Sequence, residues 1–344
     1  MLGHHGARAI SQRAPIAALL ALTIACAASA SALAQRFDGF NVIAVPSHPF
    51  GSSAALASLA ALRLAGADAV AVVPFLWQRD PQHPEIVRGD DMPDAALRAA
   101  IRDAHALGLT VMVKPHVWVE GSWAGRVEPS SRDGWETWLN RYRAAILQIA
   151  RVAAEEGAEA FAIGTELERT TQRKEWRDII AAVRAVYPGM LTYAAHNVEE
   201  AETVPFWPEL DAIGVTLYPP LGANADREGR LTVMRATAER LDRLSERLGK
   251  PVIVAEVGLR SAVGAAARPW ESAEERAAQA DPRLQAEVLS DWLKILERPS
   301  VAGVLVWRWL TDPSAGGLGD TDFTVQGKPA ERVFACARSK SCRD

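Results

Sequence analysis

A recurrence constrains the fold of this chain more than any single residue. Eight short apolar runs alternate with longer segments of helical periodicity through the body of the sequence. The runs are read at Phe40 to Val45, Ala69 to Phe75, Thr110 to His116, Glu159 to Thr165, Met190 to Ala195, Ala212 to Tyr218, Pro251 to Glu256 and Ala302 to Trp307. Several are unbroken, the pattern of strands covered on both faces. The helical stretches Ser53 to Ala65, Pro93 to Leu107, Arg132 to Glu156, Lys174 to Val186, Leu231 to Leu248 and Pro282 to Glu297 stop near a Gly or Pro. Only the interval between the fifth and sixth runs is short, and Val198 to Glu209 has room for no more than a short helix. Alternating β and α units predict a parallel sheet. Eight such units in this length predict an α/β fold of the (β/α)8 TIM-barrel type, a single domain, rather than an open doubly wound sheet. The first strand is not followed by G-x-G-x-x-G, which counts against a dinucleotide site.

The first residues read as a leader. Arg8 and Arg13 precede an Ala-rich apolar run from Pro15 to Ala34, and Ala32-Leu33-Ala34 fits small-x-small cleavage before Gln35. Residues 1–34 are therefore predicted as a signal peptide and 35–344 as the domain with a short C-terminal tail. The apolar core, Ile16 to Ala28, is short for a membrane span. Lipidation at Cys26 is the minority alternative, since Thr23-Ile24-Ala25 matches a lipobox poorly. These readings predict an exported protein, periplasmic or secreted, with no stable membrane insertion once the leader is gone. Removal would leave only Cys336 and Cys342, and an oxidising compartment favours their pairing; the alternative is two free thiols on the tail. A net charge of -4 gives no basic footprint for nucleic acid.

Sites in this fold form at the C-terminal ends of the strands. The residues there are Pro46 to His48 on the first strand, Phe75 and Trp77 on the second, and Lys114, His116 and Trp118 on the third. The fourth gives Thr165 and Glu166, the fifth His196 and Asn197, the sixth Tyr218, the seventh Glu256 and the eighth Trp307 and Trp309. Aromatic faces beside hydrogen-bonding groups suit a sugar ring, whose C–H faces pack on rings and whose hydroxyls need directed partners. Either glutamate alone reads as a capping or ion-paired residue. Facing each other across one mouth, Glu166 and Glu256 are the minimum equipment for breaking a glycosidic bond. Glu168 is read as a helix-start residue. No H-E-x-x-H, zinc-spaced Cys pair or G-x-S-x-G elbow occurs, so neither a metal nor a cofactor is expected.

These residues resemble the (β/α)8 glycoside hydrolases of clan A, and most closely glycoside hydrolase family 113, whose known members are β-mannanases. The likeness rests on Lys114-Pro115-His116-Val117-Trp118, Gly164-Thr165-Glu166-Leu167, Leu217-Tyr218-Pro219, Ala255-Glu256-Val257-Gly258 and Val306-Trp307-Arg308-Trp309, with Gly319 to Pro329 near the end. The resemblance implies that Glu166 is the acid/base and Glu256 the nucleophile of a retaining hydrolase of β-linked polysaccharide, β-1,4-mannan first. A retaining pair is expected about 5–5.5 Å apart, with the charge on Glu256 raising the pKa of Glu166. Tyr218 is expected to hold Glu256, His116, His196 and Asn197 to bind hydroxyls, and Trp307 to floor a subsite, with Lys114, Trp118 and Thr165 completing the substrate contacts. Thr165 stands where most of the clan has Asn and lacks an amide's double reach. The alternatives are a hydrolase of another β-glycan or exopolysaccharide, and a non-catalytic glycan-binding barrel.

Overall fold

Eight parallel strands close on themselves in the computed structural model of the protein, which describes residues 36–222 and 226–338 together with residues 1 and 3. The chain divides into Met1–Gln35 and Arg36–Asp344, and the architecture is that of the second unit. The predicted leader with Cys26, and Cys342 as the expected partner of Cys336, lie outside the described residues.

The strands are β1 (Phe37–Ile43), β2 (Ala69–Val72), β3 (Phe75–Gln78), β4 (Val87–Arg88), β5 (Thr110–Val113), β6 (His116–Val119), β7 (Ala160–Thr165), β8 (Met190–His196), β9 (Ile213–Leu217), β10 (Val252–Gly258) and β11 (Val301–Leu310). The barrel runs β1-β11-β10-β9-β8-β7-β5-β2, and β1 pairs with both β2 and β11 to close it. The expected (β/α)8 barrel is thus the observed fold. The helices are α1 (Ser53–Leu64), α2 (Asp94–Ala106), α3 (Arg132–Glu155), α4 (Trp176–Arg184), α5 (Asn197–Ala201), α6 (Arg227–Leu248), α7 (Pro282–Ile295) and α8 (Val333–Arg338). Their starts are chemically marked. Ser52, Ser131, Asp226 and Asp281 each accept a first-turn backbone N–H, and Pro282 occupies a first-turn position of α7. The short interval before β9 holds only the five-residue α5 and a 3-10 turn, Trp207–Glu209.

Two of the predicted strands are each two strands. Pro74 and Pro115 lack the N–H a ladder needs, so the barrel strands β2 and β5 stop short of them. The chain resumes as β3 and β6, which pair in parallel outside the barrel with β4 added antiparallel.

The apolar interior is built in layers. Phe37, Ala69, Ala71, Met112, Ala160, Ala212, Ile253 and Leu305 pack together inside the barrel, large side chains beside small ones. The larger core lies between the strands and the helices. Asn41 is fully buried and donates to the carbonyls of Ala255 (3.0 Å) and Leu305 (3.3 Å), tying β1 to β10 and β11. Gly39 is required by close approach, because a Cβ there would lie 1.7 Å from the Ala69 carbonyl oxygen on β2.

Candidate active site

Glu166 follows the last residue of β7 with φ at +55°, and Asn197 follows β8 with φ at +54°. They are the non-glycine residues with positive φ among the described ones. Left-handed backbone costs an ordinary residue roughly 1–2 kcal/mol, so something must hold each. The Glu166 N–H donates to the Ala194 carbonyl at 2.8 Å, and the Leu167 N–H to the Tyr193 hydroxyl at 2.7 Å. Asn197 is held by its side chain, whose oxygen accepts the Tyr218 N–H at 2.8 Å.

Thr216 places the two glutamates at the same end of the barrel. Its hydroxyl donates to Glu166 Oε1 at 2.5 Å, and in the β9–β10 ladder Thr216 is the register partner of Glu256. Neighbouring strands lie about 4.8 Å apart, so the two carboxylates share one end of the barrel. Both also act on the same neighbours. Burial first, and then the charges of Glu256 and Glu166, push the Tyr218 phenol well above its usual range. Burial lowers the pKa of His116, Lys114 adds to that, and the same two carboxylates oppose it.

Their surroundings differ. Glu256 is clamped on both oxygens. Lys114 Nζ donates to Oε1, in an ion pair whose side chains are 0% and 5% exposed, and the Tyr218 hydroxyl donates to Oε2 at 3.0 Å. Among the described residues Glu166 accepts on Oε1, from Thr216 and from His196 Nδ1 at 3.1 Å. Burial alone would push the Glu166 carboxyl up, but the charge and hydrogen bond of His196, with His116 and Thr216, hold it at about 2. This is the reverse of the expected rise, because these neighbours together outweigh burial. Burial lowers His196 in turn, yet Glu166, Glu200 and Glu168 raise it to about 8. One contact works the other way. The Asn197 amide, its oxygen committed to Tyr218, turns Nδ2 toward His196 Nε2 at 3.0 Å, which favours a neutral ring with its proton on Nδ1.

A second layer carries no direct signal in the sequence. Glu200, on α5 and 3% exposed, accepts the Tyr193 hydroxyl on Oε1 at 2.6 Å and the His196 N–H on Oε2. Tyr193 in turn accepts the Leu167 N–H. One buried carboxylate thus fixes the backbone beside both Glu166 and His196. Burial, aided by Glu166 and Glu168, raises the Glu200 pKa to about 7 against the pull of Tyr193 and the His196 N–H. Trp123 packs its ring 4.7 Å from that of His196. Sequence reasoning missed Thr216, Tyr193, Glu200 and Trp123. Only the two adjacent acids Glu199-Glu200 after His196-Asn197 hinted at the second layer, and Glu199 pairs outward with Arg240.

The remaining predicted residues are spread more widely. Lys114 Nζ lies 5.4 Å from the centre of the part-buried Trp307 ring. The Trp307-Arg308 peptide is cis. Thr165 is 1% exposed and donates its hydroxyl to the Pro115 carbonyl at 3.0 Å, so its proton braces the strand break. Trp118 lies on the outer sheet, 51% exposed, with its ring 6.1 Å from that of Trp77. Glu168 is exposed at the start of a 3-10 turn. Trp309, read from the sequence as a rim residue, is buried behind the barrel wall, where its Nε1 donates to Ser58 on α1 at 2.8 Å. Among the described residues no three His, Cys, Asp or Glu side chains converge as a metal site.

The arrangement offers an ion-paired, doubly oriented carboxylate and a carboxylate coupled to an imidazole, side by side. The model of Glycoside Hydrolase Family 113 matches residues 42–328. A solved GH113 β-mannanase from Alicyclobacillus acidocaldarius, in complex with ManMIm, is 27% identical with a TM-score of 0.80, over 89% of this chain and 98% of its own. A second GH113 β-1,4-mannanase, also solved as a complex, is 25% identical with a TM-score of 0.79, over 89% of this chain and 100% of its own. A β-glucuronidase from Ruminococcus gnavus, 14% identical with a TM-score of 0.59 over 87% of this chain and 49% of its own, shares the fold alone. No curated protein matches the chain.

Proposed function

The chain belongs to glycoside hydrolase family 113, and on that premise we propose that it is a retaining endo-acting hydrolase of β-1,4-mannan, with Glu166 as acid/base and Glu256 as nucleophile. The observation that carries this reading is a pair of carboxylates at one end of the barrel, on either side of Thr216, in unequal surroundings. Environments that differ in this way assign the roles of two like groups. The β-mannanases at 25–27% identity supply the preference for mannan.

Glu256, ionised beside Lys114 and steadied by Tyr218, attacks the anomeric carbon. The glycosidic C–O bond breaks as the carboxylate–carbon bond forms, and the leaving oxygen takes a proton from Glu166. That proton comes from the pair Glu166 forms with His196. Burial raises the first group and lowers the second. A sugar that fills the cleft and expels water therefore favours the neutral state of both, with the ring keeping its proton on Nδ1, donated to Oε1, and the proton they share residing on the carboxyl. Oε1 accepts from Thr216 and His196, so the carboxyl carries its acidic proton on Oε2, and Oε2 faces the leaving oxygen. Once Glu256 is esterified, Glu166 takes a proton from water, and the hydroxide equivalent releases the sugar with its anomeric configuration retained.

The test is a panel of β-mannan, glucomannan, cellulose and β-1,3-glucan, with the wild type, Glu166→Gln and Glu256→Gln, and the anomer of the first product read by NMR. Products from mannan with the wild type alone, released as the β-anomer, are expected. Turnover by pure, folded Glu256→Gln would falsify the nucleophile assignment. Products from another glycan alone would remove mannan. Residues 1–34 are read as an export signal and Cys336-Cys342 as a disulfide of the exported protein. The mass of the mature protein, with and without reduction and alkylation, tests both.

A further inference from the structure

The outer sheet breaks the usual rule for a half-covered sheet. On β3 and β6 the residues alternate between a buried face, Leu76, Gln78, Val117 and Val119, and an open face, Phe75, Trp77, His116 and Trp118. Open faces are ordinarily polar. Here Trp77 and Trp118 are 41% and 51% exposed and stand opposite each other in register, as do Phe75 and His116. Phe75 links the two ranks, with its ring 5.9 Å from His116, 6.2 Å from Trp77 and 6.1 Å from Trp118. Burying these indoles would remove a large apolar area from water, and large exposed apolar groups side by side mark a binding surface.

The inner end of this face is the site already described. His116 feels the charges of Glu256, Lys114 and Glu166, and its buried Nδ1 has no hydrogen-bond partner among the described residues. A buried ring nitrogen without a partner is costly unless a ligand supplies one. The outer end is a cavity of about 470 Å³ lined by Trp77, Arg79, His83, Val87, Trp118 and Glu120. Two residues of strand separate the ends, roughly 6.6 Å. The Trp77 ring is also held in place. Its Nε1 donates to Asp91 at 3.2 Å, and a Cβ on Gly89 would lie 2.2 Å from that nitrogen.

We propose that the open face of this sheet is a distal binding shelf for the β-linked glycan, on which Trp77 and Trp118 stack sugar units beyond those that reach the paired carboxylates. His116 marks the join, where a sugar hydroxyl meets Nδ1. The occupant is the substrate chain rather than a protein partner, because the face is continuous with the carboxylate site and because aromatic planes with polar groups at their edges fit the C–H faces and hydroxyls of pyranose rings. The shelf explains how an open-ended polymer is gripped on one side of the cut. It rests on the glycosidase reading, and its test does not depend on turnover.

The experiment is calorimetric titration of the inactive variant Glu166→Gln with β-1,4-mannobiose and β-1,4-mannohexaose. The hexasaccharide is expected to bind at least about tenfold more tightly than the disaccharide. That advantage is expected to collapse when Trp77→Ala and Trp118→Ala are added, and to fall in part with Gly89→Ala, which displaces the Trp77 ring while keeping both indoles. An advantage that survives the double substitution in a protein with an unchanged circular dichroism spectrum overturns the proposal, as does the absence of any advantage in the Glu166→Gln parent. A wild type that hydrolyses no β-glycan yet shows the length-dependent binding would sink the enzymatic reading and leave the shelf standing.

Discussion

His196 Nδ1 lies 3.1 Å from Glu166 Oε1, so the group proposed to donate the proton is paired with a second group able to carry it. The pair loses its last shared proton no higher than about pH 8, the value to which Glu166 and its acidic neighbours raise His196 before the Asn197 amide is counted. That loss sets the basic limb of kcat/KM. In His196→Ala the proton has only Glu166 to reside on. One carrier holds a proton no more tightly than two, so the limb moves to lower pH. A profile that keeps its basic limb in place after this substitution refutes the shared proton.

The same pair makes stability depend on pH at both ends. His196 has a folded pKa above its ordinary 6.5, so its contribution is full below that value and is lost as pH rises through about 8. Glu166 lies below its ordinary 4.5, so its contribution is full above that value and is lost as pH falls through about 2. Wild type is therefore expected to lose melting temperature between about pH 6.5 and 8 relative to His196→Ala, as read by calorimetry. Parallel curves for the two proteins across that interval would contradict the ion pair.

Lys114 and Glu256 are buried together, and each is costly without the other. Lys114→Met strands the carboxylate and is expected to cost about 3–5 kcal/mol in urea unfolding. Lys114→Met/Glu256→Gln should lose much less than the sum of the two single changes, because the double variant buries no unpaired charge. Strict additivity would show that water already reaches the pair.

Glu200 accepts one donor on each carboxylate oxygen. Glutamine has a single acceptor oxygen, so Glu200→Gln sets an amide N–H against either Tyr193 or the His196 N–H. We expect a stability loss of about 1–3 kcal/mol and a fall in kcat of roughly tenfold, with KM nearly unchanged, since the residue touches no substrate. Tyr193→Phe, which frees the Leu167 N–H, is expected to follow the same split between kcat and KM. A change confined to KM would assign both residues to binding instead.

Gly39→Ala tests closure of the barrel. Its methyl would lie 1.7 Å from the Ala69 carbonyl oxygen, where β1 meets β2. Backbone cannot yield as a side chain can, so the cost should exceed the 1–3 kcal/mol usual for overpacking. Soluble protein with an unaltered melting temperature would mean that β1 lies elsewhere.

The barrel was legible because most of its strands are short apolar runs between helical segments, a signal that burial on both faces imposes directly. Glu166 and Glu256 were legible because they close such runs. Thr216, Tyr193 and Glu200 were not, since a Thr or Tyr within a strand, or one of two adjacent acids on a short helix, looks alike whether it serves the core or the site. Pairings across the barrel, such as Lys114 with Glu256, depend on strand order in space. The split at Pro74 and Pro115 was readable in principle. Phe75-Leu76-Trp77-Gln78 and His116-Val117-Trp118-Val119 each alternate after a proline, unlike the continuous runs before them, but the apolar character carries on through each proline and reads as a single strand.

That split has a practical consequence. Because β3, β4 and β6 form their own hydrogen-bonded ladder, the part of the proposed platform beyond His116 can be rebuilt, lengthened or exchanged between variants while the carboxylate pair at the ends of β7 and β10 keeps its geometry. How far along a polymer the protein holds on, and how it breaks the bond, become separately adjustable traits.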